Sequence, residues 1–453
     1  MTKEYPRCED LSLFTSGNRL ALASVFLNAG MKDTVATFDL LVRELPPHRN
    51  FLVFAGLEYI VEYLENLRFN QQQLNQLNSC YNFDPATLAY LKKFRFTGDV
   101  WAMREDEIFF PQEPIIRITA PLIQAQLIEM FLINAAYFPT IFASKMARFV
   151  AAARGTDTVI AYNRSYGVET ALKSERIKYM LGSGGGCALY AHLNGITGFA
   201  TGTHHYLMQA FTEETAAFRT YLRQMKGCGY VLVDTYDTVA GLKRFIKVAR
   251  ELEREGIKAS GVQIDSGNRL VLSKLARRLL DKAGLKHVKI FVMGNLDEYK
   301  VAELVKQKAP IDVYAGGTEL LTPSDAPTLE LVYKLAELQI NSVSLPKMKT
   351  SPGKLSLPGR KQVWRIIKNG KYHHDIIGLA NEKLSGQKLL APIIKNGKLI
   401  ARLPSLAQIR QRYQNEIKKF PPRLLAINQS ASYPVKISPA LKALTEKTKR
   451  SIS

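Results

Sequence analysis

The sequence predicts an α/β chain whose middle is a run of consecutive βα units, forming a parallel sheet or closing as a βα barrel. Two observations carry this. Four apolar runs each end in a short polar or glycine turn: Gly229–Asp234 (GYVLVD), Gly261–Asp265 (GVQID), Val288–Val292 (VKIFV) and Ile311–Tyr314 (IDVY). Stretches of helical period separate them, such as LKRFIKVARELEREG from Leu242 to Gly256. Strand-like runs alternating with amphipathic helices read as parallel βα units. In such folds the strand C-termini make the active face, and late βα loops commonly hold phosphate. Asp234, Asp265, Gly294, Asn295 and Gly316-Gly317-Thr318 are therefore expected to converge on one mouth.

The flanking regions read differently. Residues 1–10 look like a short arm. The region to about residue 150 mixes amphipathic helices, among them Gln124–Ala152, with strand-like runs at Phe51–Phe54 and Ile115–Ile118. This gives an N-terminal α+β domain over 1–150, a barrel domain over 151–345 and a C-terminal region over 346–453. Ser344–Pro358 is rich in Pro, Ser and Lys and predicts a loop. Two Lys-Asn-Gly triplets, Lys368–Gly370 and Lys395–Gly397, each separate β-rich runs and predict hairpin turns. A helix over Leu406–Lys419 follows, and the final TEKTKRSIS predicts a frayed tail.

Composition excludes several classes. At 453 residues the chain can bury a sizeable core. No apolar run approaches the ~18 residues that span a bilayer, and the first residues lack the apolar stretch of a signal peptide. Four scattered cysteines without CxxC spacing predict reduced thiols in the cytoplasm, not a disulfide framework or zinc site. The net charge is +22, and residues 347–453 hold 23 Lys and Arg against 4 Asp and Glu. That excess predicts a solvated basic face or a surface for an anionic partner. The spacing has no dense cluster, so nucleic acid is not specified.

The turns, taken in order, carry a family resemblance. VDTYDT, the DSG after GVQI, GNLDEY, a Gly-Thr turn followed by LLT, and VYKLAEL resemble nicotinate phosphoribosyltransferase. So do Phe51–Phe69, Phe109–Glu129, Pro358–Arg365 and Leu389–Ile400. The resemblance implies an irregular TIM-like βα barrel of the type II phosphoribosyltransferase kind. It also implies an N-terminal domain completed by C-terminal strands, and a homodimer with sites near the subunit interface. The activity it implies is transfer of a phosphoribosyl group from phosphoribosyl diphosphate to a pyridine base, coupled to ATP. No cofactor is expected to bind tightly. ATP is a substrate and magnesium arrives with the phosphates, since no Asp/His cluster specifies a protein metal site.

The chain departs from the family at substrate motifs. The first motif, TD-x-Y, whose Tyr sandwiches the base, reads Thr15-Ser16-Gly17-Asn18. The FG-x-RR-A loop aligns with Tyr166–Ala171, placing Glu169 and Thr170 where the family has Arg. VR-x-DSGD reads Val262–Asn268, with Gln263 for Arg and Asn268 for Asp. A carboxylate in place of a guanidinium repels an anionic base. Each charge-assisted hydrogen bond lost is worth about 1.5–3 kcal/mol. Ordinary nicotinate turnover is therefore expected to be weak or absent. The alternative is a catalytically inactive homologue that keeps phosphate binding as a regulator or scaffold.

The candidate residues each have two readings. Gly316-Gly317-Thr318 and Gly294-Asn295 suit a phosphate cradle, because glycine lets backbone N–H groups approach an anion, or they are plain turns. The resemblance places Asp265 by the ribose hydroxyls, and a carboxylate accepts two bonds from a diol. Otherwise it caps the helix starting near Arg269. Asp234 and Asp237 assist a metal-bound diphosphate or cap a strand end. His205 aligns with the phosphorylated histidine, with His204 competing; the other reading is structural. Gly182–Gly186 is a phosphate turn or a tight connection, and Cys187 a reactive or packed thiol.

Overall fold

The computed structural model describes residues 8–184, 186–195 and 202–452, with the side chains of residues 8 and 9 left out. The described chain divides into two compact units. The first takes the residues up to Ser144, Thr328–Leu424 and those from Ser430 on; the second takes Lys145–Pro327 and Leu425–Gln429.

The first unit is built on a seven-stranded sheet. Its order is Val343–Pro346, Leu331–Ile340, Val35–Val42, Pro114–Pro121, Asp99–Ala102, Ala391–Lys395 and Lys398–Leu399. C-terminal strands thus lie beside N-terminal ones: Val35–Val42 pairs with Leu331–Ile340, and Asp99–Ala102 with Ala391–Lys395. Val35–Val42 (VATFDLLV) is buried along almost its whole length, as a strand covered on both faces must be. A second, four-stranded sheet holds Gln387–Lys388, Lys361–Lys368, Lys371–Leu379 and Val435–Ile437.

Both Lys-Asn-Gly triplets turn as expected. Lys368 pairs with Lys371 and Lys395 with Lys398, leaving Asn-Gly as a two-residue loop. Asn369, Gly370, Asn396 and Gly397 all have positive φ, the requirement of a type I′ turn that Asn-Gly meets at least cost. The tail differs from expectation. Pro439–Ile452 is a helix burying Leu441, Thr445 and Thr448 on one side, so burial holds what composition alone would fray. Ser344–Pro358 also differs at its start, where Val343–Pro346 adds an edge strand.

The C-terminal charge excess has a structural destination. Lys361 pairs with buried Asp39 at 2.7 Å. Arg365 pairs with Glu107 and Asp375, each at 2.6 Å. Arg412 pairs with Asp106 at 2.7 Å and Arg360 with Glu337 at 2.6 Å. Several basic residues of the last quarter are therefore counter-ions for carboxylates encoded far upstream.

The second unit is a five-stranded parallel sheet in the order Asp157–Ile160, Val313–Gly316, Lys289–Leu296, Gly261–Ile264 and Tyr230–Leu232. The last four are the predicted βα units. Helix Thr238–Arg254 buries Leu242, Phe245, Val248, Ala249 and Leu252, one face at helical spacing. Each large apolar side chain so buried contributes about 1.5–3 kcal/mol. The strand at Asp157–Ile160 was not among the four runs and extends the sheet beyond Val313–Gly316. A closed barrel is not formed among the described residues. The two edge strands do not pair, and at Tyr230 the outer edge carries an isolated parallel bridge to Gly202. Closure needs a full ladder there, and one bridge does not supply it.

Candidate functional site

The C-terminal ends of the parallel strands are joined by side chains reaching between neighbouring turns. Asp234, just beyond the Tyr230–Leu232 strand, accepts from the Asp265 N–H at 2.8 Å, the Ser266 N–H at 2.6 Å and the Ser266 hydroxyl at 2.6 Å. All three donors converge on one carboxylate oxygen. Charged acceptors make the stronger hydrogen bonds, so this contact fixes the Asp265–Ser266 turn.

Arg269 does the same on the next strand. Its guanidinium donates to the carbonyls of Asp265, Gly267, Met293 and Gly294, the last at 3.0 Å. Gly294 is held so close to Asp265 that a Cβ there would sit 2.0 Å from the Asp265 carbonyl oxygen. Its φ of +87° is also one that glycine alone adopts without strain. Asn295 follows with φ +58°, and its carbonyl accepts from Lys300 at 2.6 Å.

The capping readings separate cleanly. Asn268 caps helix Arg269–Lys282 through the Val271 N–H, so Asp265 is not that cap. Asp237 caps helix Thr238–Arg254 through the Ala240 N–H at 2.7 Å. Asp297 caps helix Glu298–Lys306 through the Lys300 N–H at 2.7 Å. Asn268 as the altered family position is thus occupied locally, since Asn caps as well as Asp.

Asp265 itself is half-buried with its carboxylate facing other charges. Partial burial and then the Asp234 carboxylate push it above the ordinary aspartate range; Arg269, His204 and Arg164 pull the other way. His204 and Arg164 therefore belong to the same electrostatic neighbourhood. Arg164, in the turn after the Asp157–Ile160 strand, also donates to the Thr318 hydroxyl at 3.2 Å. Thr318 opens the short helix after Val313–Gly316. At Gly316 a Cβ would collide with Leu320 at 2.0 Å, a packing requirement; at Gly317 it would meet nothing within 4 Å, so the space above that backbone is open.

Arg164 is the residue the sequence reading missed. The signal was the unread fifth strand: a guanidinium four residues past an apolar strand end occupies the same kind of position as Asp234 and Asp265. Thr203 was missed as well. It is buried, and its hydroxyl accepts the Leu232 N–H at 2.7 Å, fastening the His204 segment to the edge strand.

The other expected residues each have local partners. Glu169 is highly exposed on helix Val168–Met180 and pairs with Lys173 at 2.6 Å, an i,i+4 contact on that helix's own surface. The carboxylate there is neutralised locally. Thr170 is on the same helix, its carbonyl accepting from Ser174 at 2.8 Å. Both residues thus lie in the first turn of a helix, and Arg164 lies in the turn that follows the Asp157–Ile160 strand. Asn18 lies in the first unit on helix Gly17–Asn28, its side chain bonded to Ser16. Gln263 is buried and donates to the Met293 sulfur at 2.9 Å. His205 is exposed, with Nδ1 3.0 Å from Gln209 Oε1. Within the Gly182–Gly186 turn, Gly185 lies outside the described residues. Ser183 is tied to the Thr158 strand by hydroxyl contacts, which favours a tight connection there. Cys187 is a half-buried free thiol.

Beneath the Gly294–Asn295 turn is a buried charge network. Glu298 pairs with Lys145 at 2.6 Å and accepts from Arg148 at 3.0 Å; Lys145 also pairs with Asp325 at 2.8 Å. Tyr299 donates to Asp325 at 3.4 Å. Buried carboxylates of this kind position the elements that bear them, because breaking one pair strands a charge.

Comparison with known proteins gives the family and the fold. Residues 15–136 match the model of the nicotinate phosphoribosyltransferase N-terminal domain, and residues 383–445 that of the C-terminal domain. A nicotinate phosphoribosyltransferase of Mycobacterium tuberculosis is 39% identical over 432 residues, covering 94% of this chain and 91% of that protein. The nicotinate phosphoribosyltransferase of Bacillus subtilis is 33% identical over 464 residues, covering 95% and 93%. The crystal structure of human nicotinic acid phosphoribosyltransferase superposes with a TM-score of 0.84 at 24% identity, covering 96% of this chain and 100% of that one, a likeness of fold.

Proposed function

Because the chain belongs to the nicotinate phosphoribosyltransferase family, we propose that it transfers the phosphoribosyl group of phosphoribosyl diphosphate to nicotinate in NAD salvage. The observation that carries this is the convergence of Asp234, Asp265, Arg164 and Thr318 at the ends of neighbouring parallel strands. The Arg164 guanidinium and the open backbone at Gly317-Thr318 suit a phosphate group, one by charge and the other by unobstructed N–H donors. Asp265 accepts the ribose hydroxyls. As diphosphate leaves, positive charge grows at the anomeric carbon, and the neighbouring Asp234 and Asp265 carboxylates stabilise it by proximity. Catalysis here is positioning and electrostatics rather than covalent chemistry on the sugar.

ATP coupling runs through His205. With Nδ1–H donated to Gln209 Oε1, the Nε2 lone pair is free to attack the γ-phosphorus. The N–P bond forms as the bond to the ADP oxygen breaks. Magnesium enters with the diphosphate and triphosphate substrates. The inactive alternative rests on the departures at Asn18, Glu169, Thr170, Gln263 and Asn268 together; of these, the Glu169 carboxylate is paired with Lys173.

A homodimer is the second element of the reading. Tyr166, Tyr206 and Tyr236 each follow a mouth residue by two positions and are 72%, 65% and 63% exposed. A second copy of the chain is the occupant that would cover them. No helix among the described residues is long and apolar enough to cross a membrane, and a cytoplasmic setting fits the free thiols.

The test is a steady-state assay with phosphoribosyl diphosphate, ATP and magnesium, offering nicotinate and nicotinamide in parallel. Nicotinate mononucleotide should form, with kcat/KM reduced about 100-fold in Arg164→Ala and the melting temperature unchanged. No turnover of either base, with phosphoribosyl diphosphate still raising the melting temperature, would reinstate the inactive reading. Sedimentation of Tyr166→Glu/Tyr236→Glu should show monomer where the parent shows dimer.

A further inference from the structure

The first unit contains a cavity of about 440 Å³ unconnected with the reading above. It lies between helices Gly17–Asn28 and Pro85–Lys92 and the segment leading to Thr97. Its chemistry is asymmetric. The rim carries Lys32, Lys93 and Arg95, all exposed, and no carboxylate is among the lining residues. None of the three cations forms an ion pair among the described residues. Arg95 is steadied by donating to the Phe94 carbonyl at 2.5 Å.

The wall is Tyr90 and Phe94, with small alanine side chains beside them. The floor is the buried amide of Gln124, whose Oε1 accepts the Thr97 N–H at 2.8 Å and whose Nε2 contacts the Thr97 hydroxyl at 3.1 Å. Asp33 lies near Tyr90 but does not line the cavity. Three cations over a carboxylate-free lining exceed what one carboxylate requires and match a phosphate dianion. An aromatic wall with a fixed amide suits a planar base. The volume is that of ordinary small-molecule sites.

We propose that this cavity is a binding site for a nucleoside monophosphate. The phosphate meets Lys32, Lys93 and Arg95, and the base lies along Tyr90 toward Gln124. Because the cations are exposed, affinity falls with rising salt.

Hydrogen exchange of the whole protein with and without AMP tests the site. Peptides covering residues 85–97 should be protected by AMP. Adenosine and ribose 5-phosphate, each carrying half of the recognised chemistry, should need at least ~10-fold higher concentration for the same protection. Lys93→Ala/Arg95→Ala should lose AMP affinity about 10-fold or more at this segment, and Lys92→Ala should not. Absence of protection at 85–97 with millimolar AMP overturns the proposal. So does equal protection in the double variant, provided its melting temperature matches the parent. If ribose 5-phosphate protects as well as AMP, the site is a phosphate site and the assignment of a base is wrong.

Discussion

The carboxylates of the first unit and those at the strand ends of the second are the same chemical group put to opposite uses. Asp375 is fully buried, paired with Arg365 and receiving the Tyr433 hydroxyl at 2.9 Å. Glu107 shares the same guanidinium. Glu113, buried beside them, is driven well above the usual range by burial and then by Asp375. Every charge there is enclosed, so none can meet a substrate. Asp234 and Asp265 lie at strand ends: the Asp234 carboxylate is held by backbone and hydroxyl donors, one of them the Asp265 N–H, and Asp265 is half-buried. A carboxylate becomes available for chemistry when local donors orient it and no buried cation claims it.

The comparison is most exposed at Arg365. Arg365→Met leaves Asp375 buried without its cation and Glu107 with Arg104 alone, and is expected to cost about 3–5 kcal/mol. Urea unfolding measures this. An unchanged midpoint would mean the network is not what holds that sheet together, and the contrast would fail. Gly294→Ala comes next. It forces a side chain into positive φ and against the Asp265 carbonyl, an expected loss of about 2–4 kcal/mol with activity lost as well. Retention of wild-type stability would show that the turn has room to move.

Asp234→Ala removes one acceptor from three donors at an exposed turn. The expected stability loss is about 1–2 kcal/mol, with a fall of about 100-fold in kcat/KM because Asp265 is no longer aimed. If kcat/KM fell no more than the folded fraction, the orienting role assigned to Asp234 would be wrong. Asp265→Asn gives the smallest stability effect and the opposite sign. A carboxyl whose folded pKa lies above its unfolded value binds its proton more tightly when folded. Its contribution to stability is therefore lost as pH rises from the ordinary aspartate range through the raised value. Asparagine removes that penalty. The variant should be more stable than the parent at pH 7, by a margin that solvent screening keeps small, with the advantage gone once the pH falls below the ordinary aspartate range. Calorimetry across that range checks it, and catalysis should be lost throughout.

The sequence made the strand ends legible because a parallel strand buried on both faces must be apolar and must stop at a polar turn. That logic located Asp234, Asp265, Gly294 and Thr318 and both Asn-Gly hairpins from local pattern. It missed Arg164, whose strand Asp157–Ile160 (DTVI) is half polar and shows no continuous apolar run. A motif aligned by letters says nothing of local conformation, so the helix that carries Glu169 and its Lys173 partner was not legible in it.

Tertiary structure decided the partners of charges. Nothing local in the C-terminal region says that Lys361 neutralises Asp39 or that Arg365 serves Glu107; those residues are hundreds of positions apart and meet only when sheets pack. By itself the sequence determined the alternation of elements, the turn types and the family framework, since these follow from spacing and backbone preference over a few residues. Which carboxylates are sealed and which stay reachable was decided by packing, because the cost of burying a charge depends on what is brought beside it from elsewhere in the chain.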